Sequence, residues 1–134
     1  MKWLVLPLIL VAGFAVWVRL APTDPARWHL PVEGRADKDF KAGALRVISG
    51  GAQVLVALDG IILATPRTRV LAGSVSGGRV SYVTRSKLWG FPDYTTVELR
   101  GEEIAILGRS RFGRSDMGVN RARIEAWLKA LAQG

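Results

Sequence analysis

The chain has 134 residues, a formal net charge of +8 and no cysteine. That length holds one small core beside a terminal segment, but not two domains. Without cysteine there is no disulfide, thiolate metal site, cysteine nucleophile or lipid-modified N-terminal cysteine, and the charge favours anionic partners such as headgroups, phosphate esters or nucleic acid.

Residues 1–21 begin with Lys2 and run without charge from Trp3 to Val18, ending in Arg19-Leu20-Ala21. A cleaved signal peptide and an uncleaved membrane anchor compete for this segment. The signal reading has its basic start and apolar run but no convincing small-x-small site before Arg19. The anchor reading needs ~17–25 residues, and a snorkelling Arg19 extends the span to Leu20 and Ala21. Trp3 and Trp17 stand near its ends, where interfacial tryptophans belong. Pro7 and Gly13 are tolerated in a membrane helix. The expectation is a single-pass anchor, with the short basic N-terminus inside and the domain on the extracytoplasmic side.

Residues 22–48 read as a linker and lead-in, because Pro22, Pro25 and Pro31 disfavour regular structure. Lys38 to Ile48 alternates too poorly to assign and is expected to lie on the domain as an irregular arm. His29, the one histidine, has no partner nearby for a metal site or a dyad. With Trp28 it reads as a packing or interfacial residue.

Residues 49–134 read as the domain. Ser49 to Ala64 predicts a helix, with Val54, Leu55, Leu58, Ile61 and Ile62 at spacings of three and four and Thr65-Pro66 ending it. Four strand-like runs follow: Thr68 to Ala72, Arg79 to Leu88, Asp93 to Arg100 and Glu103 to Arg111. Their connections are short and rich in glycine, which favours an antiparallel meander. Met117 to Ala132 predicts a second helix, with Ile124, Trp127, Leu128 and Leu131 as its apolar stripe and Ser115 or Asp116 as its cap. Arg121 and Glu125 stand four apart and are expected to pair. The fold class is therefore α+β, with two helices on one face of a four-stranded antiparallel sheet.

Arginines crowd the span from Arg67 to Arg123. Strand parity puts Arg85 with Lys87 on one side of their strand and Arg109 with Arg111 on one side of theirs. If the helices cover the opposite face, these cations form a solvent-facing basic patch. Arginine suits two-pronged recognition of phosphate or carboxylate. The turn through Gly113 to Gly118 precedes a helix N-terminus, so Arg114, Ser115 and nearby amides could cradle an anion, with Asn120 and Arg123 closing over it. The expected ligand set is Arg85, Lys87, Arg109, Arg111, Arg114, Ser115, Asn120 and Arg123. Asp93, Asp116, Gly113 and Gly118 are assigned structural or capping roles. The competing reading is a solvated basic face with arginines paired to Asp93, Asp116 and Glu98. Asp93 with Arg111 is the pair expected to lock the turn into the sheet.

A hydrolytic reading would use Asp93 or Asp116 beside phosphate-gripping arginines. Ser115 as nucleophile would lack a base, and no phosphate loop, nucleophile elbow or metal spacing occurs. No cofactor and no metal are expected. Nucleic acid is not an expected partner, since Tyr82 and Tyr94 stand almost alone as stacking platforms on the strands. An anionic small molecule or lipid headgroup is the expected ligand.

Ser110-Arg111-Phe112-Gly113-Arg114-Ser115-Asp116-Met117-Gly118-Val119-Asn120-Arg121-Ala122-Arg123-Ile124-Glu125 resembles the C-terminal signature of the DUF1499 family. Arg85 to Asp93 resembles that family's preceding strand and turn, and Ala64 to Thr68 its post-helix turn. The likeness spans roughly Ser49 to Leu131. It departs at Arg114, where many relatives carry tyrosine, and at Asp93-Tyr94, where some carry two acids. Membership implies a domain often attached to an N-terminal membrane segment, and it brings no activity with it.

Overall fold

The computed structural model describes residues 2–134. Helix α1 spans Lys2–Leu20, a single turn α2 spans Pro25–Trp28, and strands β1 and β2 span Lys38–Phe40 and Gly43–Ser49. Helix α3 (Ala52–Leu63) leads to β3 (Thr68–Ser74), β4 (Arg79–Arg85), β5 (Pro92–Arg100) and β6 (Glu103–Ser110), and α4 (Val119–Gln133) closes the chain. All pairings are antiparallel, in the order β1-β2-β6-β5-β4-β3.

The sheet therefore has six strands and not the expected four. The additional two come from the lead-in, where β2 pairs along its whole length with β6, from Gly43 opposite Arg109 to Ser49 opposite Glu103. Alternation is weak in β2 because both sheet faces are covered. Ala44 and Leu45 point to opposite faces, and both are buried. Ser49 ends this strand and caps nothing; α3 starts after Gly51, which makes no side-chain cap bond.

One face of the sheet carries α3 and α4. Val80, Tyr82, Val97, Ile104 and Ile106 from the strands meet Leu55, Leu58 and Ile62 of α3 and Ile124 and Trp127 of α4. Two polar bonds fix the helices on this core. The Tyr82 hydroxyl donates to Asp59 of α3 at 2.5 Å, and Trp127 Nε1 donates to Thr65 Oγ1 at 2.8 Å. Burial and the Asp59 carboxylate push the Tyr82 phenol far above its ordinary value, so it stays a donor. Helix α4 lies close over β6 because Gly108 has no side chain; a Cβ there would fall 2.8 Å from Asn120 Oδ1 and 3.1 Å from Ile124 Cδ1.

The other face is covered by residues 21–36. Trp28 packs with Val83, Tyr94 and Leu71, and Val32 packs with Leu45 and Ala105. The second half of helix α1 meets the domain, with Phe14 against Phe91 and Trp17 against Phe112, but its side chains are mostly exposed and Val18 alone among them is buried, at 1% exposure. The helix is long and apolar enough to cross a membrane, with a mean hydropathy of 2.1.

Candidate functional site

Parity places Arg79, Arg85, Arg100, Arg109 and Arg111 on one sheet face, but most of that face is not open to solvent. The segment after α1 lies across it, and the arginines hold that segment down. Arg109 donates to the Trp28 carbonyl at 3.0 Å, with its guanidinium 5.0 Å from the Trp28 ring centroid. Arg100 donates to the carbonyls of Val32 and Gly34 at 3.1 and 2.7 Å. Arg79 pairs with Glu98 at 2.6 Å, and the other Glu98 oxygen accepts from the Val32 amide at 3.1 Å. His29 Nδ1 shares a 2.7 Å hydrogen bond with Ser81 Oγ. A solvent-facing basic patch on β6 is thus replaced by an internal clamp. Burial holds Arg109 below the usual arginine value.

The other expected ligands divide into two groups. Arg111 reaches Tyr94 OH at 3.4 Å and Thr23 Oγ1 at 3.5 Å and lies 5.2 Å from the Phe112 ring centroid. It does not pair with Asp93, because Asp93 sits opposite Ser110, one residue away and on the helix face. Asp93 binds Arg123 instead, at 3.0 Å, and Arg123 also donates to Asn120 Oδ1. Asn120 donates to Ser110 Oγ at 3.1 Å and to Asp116 Oδ2 at 2.9 Å. Asp93, Arg123, Asn120, Ser110 and Asp116 therefore form one network between β5, β6 and the start of α4.

The N-cap of α4 is Gly118 and not Ser115 or Asp116 as expected, but the Asp116 carboxylate just ahead of it fills the helix N-terminus that an external anion would need. That carboxylate accepts from the Gly118 amide at 2.8 Å and the Asn120 amide at 3.1 Å. Ser115 Oγ accepts from the Met117 amide at 3.2 Å. Burial tends to raise the Asp116 carboxyl, but the bonds from Asn120 and the backbone outweigh it and hold the group below the ordinary range. Gly113 and Gly118, at φ 93° and 78°, make the turn. Arg114 is exposed. Arg121 and Glu125 do not pair with each other; Arg121 meets Asp39 and Glu125 meets Arg46.

Arg85 and Lys87 belong to a different place. They line a cleft of about 410 Å³ with Arg19, Arg67 and Arg69, and no acidic residue lines it. The β3–β4 ladder brings the wall residues together, and the end of α1 closes the rim. Arg85 Nη1 donates to the Gly90 carbonyl at 2.8 Å, and Arg67 Nε donates to the Arg85 carbonyl at 3.0 Å. Arg19 donates to the Leu88 carbonyl at 2.7 Å. Gly90 lets Arg19 lie over the loop: its φ is +72°, and a Cβ would come within 2.9 Å of the Arg19 side chain. Among the described residues none of these five cations is in an ion pair. Arg19, Arg67 and Arg69 were not in the expected ligand set. Arg67 and Arg69 share parity just after the Pro66 turn, which was a readable signal. Arg19 joins them only through tertiary packing.

An apolar N-terminal helix leads directly into an α+β domain whose second sheet face is closed by the connecting segment, with a basic cleft where helix and domain meet. The chain belongs to the family described as "Protein of unknown function (DUF1499)", whose profile matches residues 18–131. The match takes in the last turn of α1 and the covering segment as well as the sheet. No curated protein matches the chain.

Proposed function

We propose that this protein is a membrane-anchored, non-catalytic binder of a phosphate-type oxyanion, held in the cleft of Arg19, Arg67, Arg69, Arg85 and Lys87. The observation that carries the reading is the lining itself, five cations without an acid or an ion-pair partner. Arginine forks match phosphate oxygens in pairs, and charge-assisted bonds of this kind are about twice as strong as neutral ones. The position at the end of α1 supports a ligand met at the membrane surface. The hydrolytic alternative with Asp93 and Asp116 has less support, because both carboxylates are engaged by internal donors. On this reading α1 stays attached, and the short basic N-terminus leaves the domain on the extracytoplasmic side.

Isothermal titration on the full chain in neutral micelles tests the binding. Glycerol 3-phosphate and phosphatidylglycerol present the same oxyanion as a free and a lipid-borne group, and glycerol is the neutral control. Both anions are expected to bind when the source is immaterial, and phosphatidylglycerol alone when the site reads a lipid. Arg69→Ala/Lys87→Ala should weaken binding at least ~10-fold, the equivalent of one charge-assisted contact. Equal affinity of wild type and variant for both anions would reject the cleft as the site.

A further inference from the structure

We infer that the end of the sheet bearing α1 is a second membrane-contacting surface, with the β4–β5 loop entering the same leaflet that α1 leaves. This rests on the membrane-anchored reading of α1 and extends it to the domain.

The strand registers define that end. Phe40 faces Gly43, Gly43 faces Arg109, Arg85 faces Pro92 and Asp93 faces Ser110. The β1–β2 turn, the Ser86–Phe91 loop and the Arg111–Gly118 loop therefore lie at one end of the sheet. The last turns of α1 meet the same end. Phe14 contacts Phe91 edge-on at 6.1 Å between ring centroids, and Trp17 contacts Phe112 at 5.4 Å. Trp89 stacks on Phe91 at 6.4 Å.

These contacts reach well down α1. Leu10, Val11 and Phe14 form one apolar groove with Trp89 and Phe91. At ~1.5 Å of rise per residue, Leu10 lies roughly 13 Å along the axis from Arg19, the first charge after the apolar run. A bilayer that covers Leu10 to Phe14 thus also covers the ring of Trp89 packed against them. The loop cannot stay in water while the helix it touches is in lipid.

The exposed apolar side chains agree. Outside α1, the described residues include nine exposed large hydrophobics. Six of these lie at this end: Phe40, Leu63, Leu88, Trp89, Met117 and Val119. Leu88 and Met117 are 74% and 94% exposed and pack against little in the protein. A concentration of this kind marks a contact surface. Exposed Lys41, Arg67, Lys87 and Arg114 share the same end, where basic groups meet headgroups. The opposite end, at the β5–β6 turn, exposes Glu102 and Glu103 instead. The basic cleft shares Lys87 and Gly90 with the inserting loop, so its rim lies at headgroup depth.

Spin-label depth measurement on the full chain tests the surface, and the absence of native cysteine permits single labels. Leu88→Cys and Met117→Cys probe the proposed contact. Leu10→Cys marks the anchor and Ser76→Cys the β3–β4 turn at the far end. In vesicles of phosphatidylcholine with phosphatidylglycerol, labels at 88 and 117 should shift with the Leu10 label toward relaxation by oxygen. The Ser76 label should relax with the aqueous nickel chelate. A Leu10 label in lipid with labels at 88 and 117 as aqueous as Ser76 would overturn the inference and leave the anchor intact. An aqueous Leu10 label would overturn both. Met117→Cys keeps the test open if the loop variant misfolds, because that side chain is almost free of packing.

Discussion

Trp28 lies on Tyr94 with ring centroids 4.3 Å apart and planes inclined by 28°. One ring comes from the segment that follows α1 and the other from the middle of the sheet. The contact turns a connecting segment into the second layer of the fold. The Tyr94 hydroxyl extends it through a 2.8 Å bond with Thr23, and the Trp28 carbonyl through its bond from Arg109. Trp28→Ala should cost about 3–5 kcal/mol, the range for deleting a buried aromatic ring. The segment should then detach and become cleavable by trypsin at Arg27 and Arg35. Denaturant melts of the full chain in neutral detergent, with limited proteolysis, measure both effects. Wild-type stability and an intact segment would show that the stacking holds nothing in place.

The His29–Ser81 bond predicts a pH dependence. Burial lowers the imidazole below its ordinary value of 6.5, the Arg79 charge lowers it further, and Glu98 opposes both. The folded state therefore binds the proton less tightly than the unfolded chain does. Its contribution is fully present above pH 6.5 and is lost as pH falls from 6.5 toward the lower folded value. Thermal melts between pH 8 and pH 5 should show this decline, and His29→Gln should flatten it. The same slope in the variant would assign the pH dependence to other groups.

Asp116 should matter more to folding than Ser115. Its carboxylate accepts three bonds, from two amides and the Asn120 side chain, whereas Ser115 accepts one. Loss of a cap typically costs ~1 kcal/mol, and an anion at this helix end adds a favourable term with the dipole. Asp116→Ala should thus lower the melting temperature more than Ser115→Ala does. Equal melting of both variants with wild type would exclude capping by either side chain.

Coupling energies should separate the two arginines near Asp93. Arg123 and Asp93 are a part-buried pair at 3.0 Å, with side chains 17% and 14% exposed. Breaking such a pair by removing one partner is strongly destabilising, up to about 3–5 kcal/mol when burial is complete. A double-mutant cycle on Asp93→Ala and Arg123→Ala should show coupling of at least ~0.5 kcal/mol, while Asp93→Ala and Arg111→Ala should add independently. The reverse pattern would make Arg111, just after β6, the Asp93 partner.

Local chemistry made much of the chain legible in its sequence. The uncharged run of α1, the hairpins from Thr68 to Ser110, the stripe of Ile124 and Trp127 in α4 and the bonds of Asp116 to the amides at the start of α4 each depend on neighbours a few residues away. Parity also grouped Arg109 with Arg111 correctly. It could not say whether their face met water, because a covering layer leaves no mark on the strand it covers. Only the tertiary structure decided that. It set β2 beside β6 across nearly half the chain, laid Trp28 over Tyr94, and turned Arg100 and Arg109 into clamps. It also moved Asp93 from Arg111 to Arg123 and brought Arg19 to Arg67, Arg69, Arg85 and Lys87. These are contacts between residues far apart in sequence, chosen by which apolar surfaces bury one another and which charges remain outside, and no short stretch of the chain carries that information.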